Sequence, residues 1–237
     1  MNILFSKIKI LLTLAVGFFA AVGVISFTTG HSASAETPNA SLAAQVATLK
    51  AQVAALQAKT APLSVSGTDL TITGVNVHIV SGSGSTSDHV MNEAGVPESG
   101  YALTGLGNLI VGYDETGGNK YVRTGSHNLV LGGHNSYSSF GGLVVGVENT
   151  ISGPYATITG GAVNTASGEQ SSVTGGIDNT ASAQYAWVSS GTGNTASGGF
   201  ASVCGGTGNT ASGENSVVSG GHYNTASKKN AYVSGGS

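Results

Sequence analysis

The 237-residue chain has one cysteine, four prolines and a single tryptophan, and only 8% of its residues are charged. Cys204 has no partner for an internal disulfide, so cross-links cannot hold the fold. A basic cluster is also missing. Once Lys7 and Lys9 are set aside with the N-terminal leader, six basic residues face eleven acidic ones, which excludes nucleic acid and anionic lipid as partners. What fills the chain is glycine, at 38 residues, a composition shared with flexible linkers. A linker would not carry valine at a fixed spacing, however, and that periodicity sets disorder aside.

Grouped chemistry is equally scarce. The six histidines, His31, His78, His89, His127, His134 and His222, are scattered. His127 and His134 stand seven apart in glycine-rich strand–turn segments, a spacing read as exposed turn residues before a metal pair. Asp88, His89 and Glu93 share a loop with no nucleophile motif beside them. Calcium-binding β-roll repeats need an aspartate in every unit, whereas residues 149–237 hold only Glu169, Asp178 and Glu214 as acids. No catalytic group, cofactor or structural calcium is therefore expected.

The N-terminus, "MNILFSKIKILLTLAVGFFAAVGVISFTTGHSASAE", places Lys7 and Lys9 before an apolar run from Ile10 to Phe27 and then Ala33-Ser34-Ala35. This has the form of a secretory signal, residues 1–35, cleaved after Ala35. The apolar run is also nearly long enough for an uncleaved membrane anchor. Either way the remaining chain is expected outside the cytoplasm, secreted or on a bacterial surface.

Residues 36–62 form a coiled-coil stalk segment in this scheme. Leu42, Val46, Leu49, Val53 and Leu56 alternate steps of four and three, the seam of a heptad pattern, with Ser41 as the expected N-cap. A helix this short does not stand alone in water, so it either associates with copies of itself or packs on the neighbouring β domain. Valine at a and leucine at d leans toward two strands.

Residues 63–106 are expected to be a β-rich connector. Leu63 to Ser81 alternates apolar and polar residues, which predicts strands with Leu70, Ile72, Val75, Val77 and Ile79 buried around a break at Gly74; residues 82–100 read as loop. "GNLIVG", "HNLVLG" and "GGLVVG" within 107–148 look like irregular first versions of a repeat that becomes regular at Asn149.

From 149 to 237 that repeat keeps a constant length. Asn149, Asn164, Asn179, Asn194, Asn209 and Asn224 fall 15 residues apart, each followed by Thr. Ile158, Val173, Val188, Val203, Val218 and Val233 share a second column, and Ala156, Ser171, Ala186, Ala201, Ser216 and Ala231 lie two places earlier, on the same strand face. Glycine pairs such as Gly175-Gly176 and Gly220-Gly221 supply the turns. The prediction is an all-β parallel solenoid in which each 15-residue coil contributes two short strands and two turns, with the Asn column as a stacked amide ladder. Each coil buries one valine and one or two alanines, a thin apolar contribution against the entropy of ordering fifteen residues, so self-association is expected to complete it.

A secretory signal, a short coiled coil and a glycine-rich array with "NSVVSGG" and "NTASGENS" resemble the YadA-like heads of trimeric autotransporter adhesins. The resemblance covers about Gly107 to Ser237. It implies a left-handed parallel β-roll, three chains side by side, and display on a bacterial surface to bind host matrix, other cells or inert surfaces. The chain stops one residue short of a full unit, which reads as a piece of a longer protein whose anchor lies beyond it.

Two outward features stay open. Thr150, Thr165, Thr180, Thr195, Thr210 and Thr225, beside the serines two places on, form ranks of hydroxyls that resemble ice-binding solenoids; the same hydroxyls also serve as local backbone partners. Tyr155, Tyr185, Trp187, Phe200, Tyr223 and Tyr232 occupy variable positions, as cross-coil stacking or as shallow ligand contacts. No single ligand-binding residue can be named from the sequence.

Overall fold

The computed structural model describes residues 38–87, 89–91, 97–101, 103–115 and 120–237; the leader assigned to residues 1–35 lies outside them. The chain divides after Val75 into two compact units.

In the first unit, helix α1 spans Pro38–Thr60. Proline suits the first helical turn because its missing N–H would have no partner there. This corrects the expected cap at Ser41, which lies one turn inside the helix. Alanine, leucine, glutamine and lysine carry the rest of it, and Lys59 sits in the last turn, where the helix dipole favours a cation. Strands β1 (Leu63–Ser66) and β2 (Asp69–Ile72) then form an antiparallel hairpin. Gly67 supplies the positive φ of its turn.

The strand prediction for 63–81 is correct only as far as Ile72; residues 73–81 form no strand. Leu70, Ile72, Val75, Val77 and Ile79, expected to be buried, are all exposed. Leu70 and Ile72 belong to a two-stranded ribbon, too small a sheet to bury its own apolar side, and Val75, Val77 and Ile79 lie in no strand; alternation alone does not supply a covering layer. Part of the predicted loop at 82–100 also differs: β3 (His89–Met91) pairs antiparallel with β4 (Pro97–Tyr101) in the second unit.

The remainder of the second unit is a parallel β-solenoid of about seven turns. A nine-stranded sheet runs from Leu109–Val111 to Tyr232–Val233, and a seven-stranded sheet runs from Ser136–Tyr137 to Thr225–Ala226. We refer to them as the valine sheet and the threonine sheet. In the regular coils the strands are two residues long, and pairing is in strict 15-residue register, as in Val173↔Val188↔Val203 and Thr180↔Thr195↔Thr210. Such short strands suffice because each one is hydrogen-bonded both above and below.

The expectation of two strands per coil needs one addition. A third line of contact climbs the solenoid as single-residue parallel bridges, Val147↔Ala162↔Ile177↔Thr192↔Thr207↔His222. The first coils also keep a different length. Leu129–Gly133 pairs with Leu143–Val147 along five residues, 14 apart in sequence, and Val144 meets Ile158 with the same offset of 14. Three residues later the offset becomes 15, at Val147↔Ala162. The added residue belongs to the glycine pair that comes after the valine, as in Gly160-Gly161 and Gly175-Gly176. One extra residue per coil cuts the strand from five residues to two and opens the third corner.

The interior is a stack of identical layers. Val130, Val144, Ile158, Val173, Val188, Val203 and Val218 are buried in one file, Ala166, Ala181, Ala196, Ala211 and Ala226 in another, and the Ala156 to Ser216 column in a third.

Candidate functional site

Inside the solenoid the asparagine file does the joining. Asn149, Asn164, Asn179, Asn194 and Asn209 are fully buried, and Asn224, near the end of the file, is half-buried. The backbone N–H of each Asn donates to Oδ1 of the Asn one coil earlier at 2.8–3.0 Å. Each Nδ2 donates to the carbonyl four residues back and to a glycine carbonyl of the next coil, as Asn194 does to Ser190 and Gly206. A carboxamide is required, since only it offers an acceptor and two donors on one planar group. The ladder extends one coil down to Asn135, whose Oδ1 accepts the Asn149 N–H, and a second, separate file in the irregular coils runs from Asn108 through Asn128 to the Gly142 N–H. Val173, Val188, Val203 and Val218 are buried beside it, while Val233 is half-buried.

The corners hold backbone that most side chains avoid. Glycine at 146, 161, 176, 191, 206 and 221 has positive φ, and a Cβ at Gly191 would lie 2.1 Å from the Gly206 carbonyl oxygen. Only the second glycine of Gly175-Gly176 needs that conformation, whereas both members of Gly220-Gly221 adopt it. Two further corner columns are left-handed without glycine being obligatory: Glu148, Val163, Asp178 and Tyr223 in one, and Tyr155, Gln170, Tyr185, Phe200, Asn215 and Asn230 in the other. The sequence marks these columns only in part, by Gly193 and Gly208 in the first and by Asn215 and Asn230 in the second, since left-handed backbone favours glycine and asparagine.

Outside, three lateral surfaces differ in chemistry. The threonine sheet presents Thr150, Thr165, Thr180, Thr195, Thr210 and Thr225 as one in-register file. The outer side of the valine sheet starts apolar, with Leu109, Val111 and Leu129 exposed, and becomes mixed further on, with Ser172, Trp187, Ser202, Val217 and Tyr232 in one file. The corner between them carries aromatic rings. Tyr185 and Phe200 stack with centroids 4.7 Å apart and planes 19° from parallel, and Tyr155 meets Phe140 edge-on at 5.1 Å. Cys204 is exposed on the outer valine-sheet side.

In the first unit, the helix seam of Leu42, Val46, Leu49, Val53 and Leu56 is 42–59% exposed.

Two polar arrangements in the irregular coils were not legible in the sequence. Arg123 Nε lies 2.7 Å from Asp114 Oδ1, and its Nη2 donates to the Glu115 carbonyl. Tyr137, 2% exposed, donates to Asp114 Oδ2 at 3.4 Å. Burial, and then the Asp114 carboxylate, push its phenol up to about 12, with Arg123 opposing. Its backbone is paired with Val122 and Gly125, so this segment covers the first edge of the threonine sheet. Beside it, Lys120 is held above the ordinary lysine value by its hydrogen bond with Tyr121 and by Glu148.

His127 and His134 do not converge. His127 Nε2 accepts the Ser81 N–H at 3.0 Å, and Nδ1 lies 2.9 Å from the Thr86 carbonyl, so the imidazole pins the serine-rich segment to the solenoid. His134 packs on Tyr121 at 5.1 Å. Nothing local could announce the first contact, since its partners are 41 and 46 residues away. Among the described residues no three His, Cys, Asp or Glu side chains come together as a metal site, and no helix is long and apolar enough to cross a membrane. No family model and no curated protein matches the chain.

Proposed function

We propose that this chain is a non-enzymatic structural repeat protein, exported by its N-terminal leader, that works as an adhesin-like head of three parallel copies. A stack of like layers offers many shallow contacts, which suits polyvalent attachment. The observation that carries the proposal is apolar surface left open in one chain. The helix seam at Leu42, Val46, Leu49, Val53 and Leu56 is uncovered, and so are Leu109, Val111 and Leu129 at the start of the valine sheet. Copies of the chain would cover both. The resemblance to YadA-like heads supports the count of three and display on a bacterial surface; the ligand is a matrix, cell or inert surface.

Sedimentation of the chain from residue 36 onward tests the assembly. A mass of three chains is expected, with Leu49→Asp lowering it; a wild-type mass of one chain at micromolar concentration would refute the bundle. Mass spectrometry of the exported product should place its first residue at Glu36.

One observation favours a second function. The threonine file is in register over six coils and spaced at about 4.8 Å, a regular hydroxyl array that supports ice binding. Thermal hysteresis and ice-recrystallisation assays separate the two, since the adhesive head should score in neither.

A further inference from the structure

Tyr155, Tyr185 and Phe200 occupy left-handed corners, with φ of 57°, 59° and 59°. Bulky rings are among the residues least suited to that backbone. The same corner column shows what folding alone needs there, because Asn215 and Asn230 fill it at φ of 55° and 57°, and asparagine adopts this conformation readily. The rings are also poorly spent on the core: Tyr155 is 46%, Tyr185 39% and Phe200 54% exposed. Stacking covers one side of Tyr185 and of Phe200, and leaves substantial ring surface toward solvent. Strained backbone that holds exposed rings in line points to use of those rings beyond stability.

The setting narrows the partner. Gln170, Gln184 and Asn215 put carboxamides beside the rings, and Gln184 Nε2 donates to Glu169 Oε2 at 3.1 Å on the exposed surface. Glu214 is paired with Lys229 at 2.9 Å and Lys228 stands beside it at the far end of the corner, so the stretch from Tyr155 to Phe200 carries Glu169 without a cation at this corner, which disfavours polyanions. A purely hydrocarbon surface would strip water from the carboxamides without replacing their hydrogen bonds. Pyranose rings match both halves of the patch, with C–H faces for the aromatic rings and hydroxyls for the amides.

We infer that the Tyr155–Tyr185–Phe200 corner is a platform for an uncharged polysaccharide, lying along the solenoid axis. The inference rests on the adhesive function proposed for the chain and names its partner class. Tyr185 and Phe200 stand one coil step of about 4.8 Å apart and Tyr155 two steps from Tyr185, with Gln170 between, so a polymer gains by engaging several contacts at once where a monosaccharide does not.

The test is retention of the purified chain on microcrystalline cellulose and on chitin beads, for wild type and for Tyr155→Asn/Tyr185→Asn/Phe200→Asn. Asparagine is the residue the column itself uses, so the triple variant should keep its circular dichroism spectrum and sedimentation mass. Expected is retention of wild type on at least one probe, a loss of tenfold or more in the variant, and no competition by free glucose or N-acetylglucosamine at millimolar levels. Failure of both probes to retain wild type, or equal retention of the variant, overturns the inference. So does a fall in the variant's mass, which would make the corner a contact between copies. Attachment of the same proteins to polystyrene and to matrix-coated plates is measured in parallel. Attachment there without polysaccharide retention sinks this inference alone, whereas no attachment to any surface also sinks the adhesive function.

Discussion

Replacing Asn179 by alanine should damage the solenoid more than any exposed substitution, and the cost can be worked from its bonds. Its Oδ1 accepts the backbone N–H of Asn194 at 3.0 Å and that residue's Nδ2–H at 3.1 Å. Its Nδ2 donates to the carbonyls of Gly175 at 3.1 Å and Gly191 at 2.9 Å, and reaches Asn164 Oδ1 at 3.1 Å. Alanine strands the Asn194 N–H in a buried layer, at about 1–3 kcal/mol, and removes two or three further bonds worth about 0.5–1.5 kcal/mol each. The Gly191 carbonyl keeps its bond from the Ile177 N–H, so it is not orphaned. The sum is about 2–7 kcal/mol. Asn179→Asp should cost at least as much, because it trades the two donors for charge facing carbonyl oxygens. Asn224→Ala, at the half-buried end of the file, should cost about 1 kcal/mol, since water can replace its bonds there. Solenoids open locally, so amide hydrogen exchange is the proper assay, with the Asn194 amide as reporter. An Asn194 amide that keeps its protection in Asn179→Ala, or a total cost under about 1 kcal/mol, would refute the ladder as the joint between coils.

Three further outcomes rest on particular atoms. The hydroxyls of Ser171 and Ser216 are buried with no hydrogen-bond partner, in a column where Ala156, Ala186 and Ala201 serve; Ser171→Ala should therefore raise stability by about 1 kcal/mol in thermal unfolding, and a loss would mean the hydroxyl has a partner. Gly191→Ala should abolish folding of its coil, because its Cβ would sit 2.1 Å from a carbonyl oxygen, whereas Gly175→Ala meets nothing within 4 Å and should leave the melting temperature within a few degrees. Tyr137 is raised from the ordinary 10.0 to about 12 in the folded chain. A raised value means its contribution is fully present below pH 10 and is lost as pH climbs through 12, at roughly 2–3 kcal/mol; exchange in the coil around Ser136–Tyr137 should accelerate over that window, and Tyr137→Phe should remove the phenol's share of the dependence.

Periodicity made most of the solenoid legible. A strict 15-residue recurrence of Asn, Val and Gly leaves few alternatives to coils stacked in register, and the side-chain period of two separates Val173 and Ser171 from Ser172. The misses share a cause. Leu70, Ile72, Val75, Val77 and Ile79 alternate like buried strand residues, yet burial depends on a second layer that no local pattern reports. The single-residue bridges through Ala162 and Ile177 were invisible because one residue has no period. The Arg123–Asp114–Tyr137 group and the His127 link join segments far apart in sequence, in coils whose spacing of 14 and 20 hides their equivalence. The surfaces were legible in composition, as threonine file and aromatic corner, and their function was not, because a flat repetitive face binds through geometry shared by many residues.

The buried amide of each turn finds its partners in the turns immediately above and below, and in the regular region those neighbours are near-copies of itself. Deleting or duplicating one whole unit between like asparagines thus restores the amide-ladder bonds across the splice. Recombination within the coding repeats can lengthen or shorten the protein by single steps, tuning its reach without having to invent a new joint.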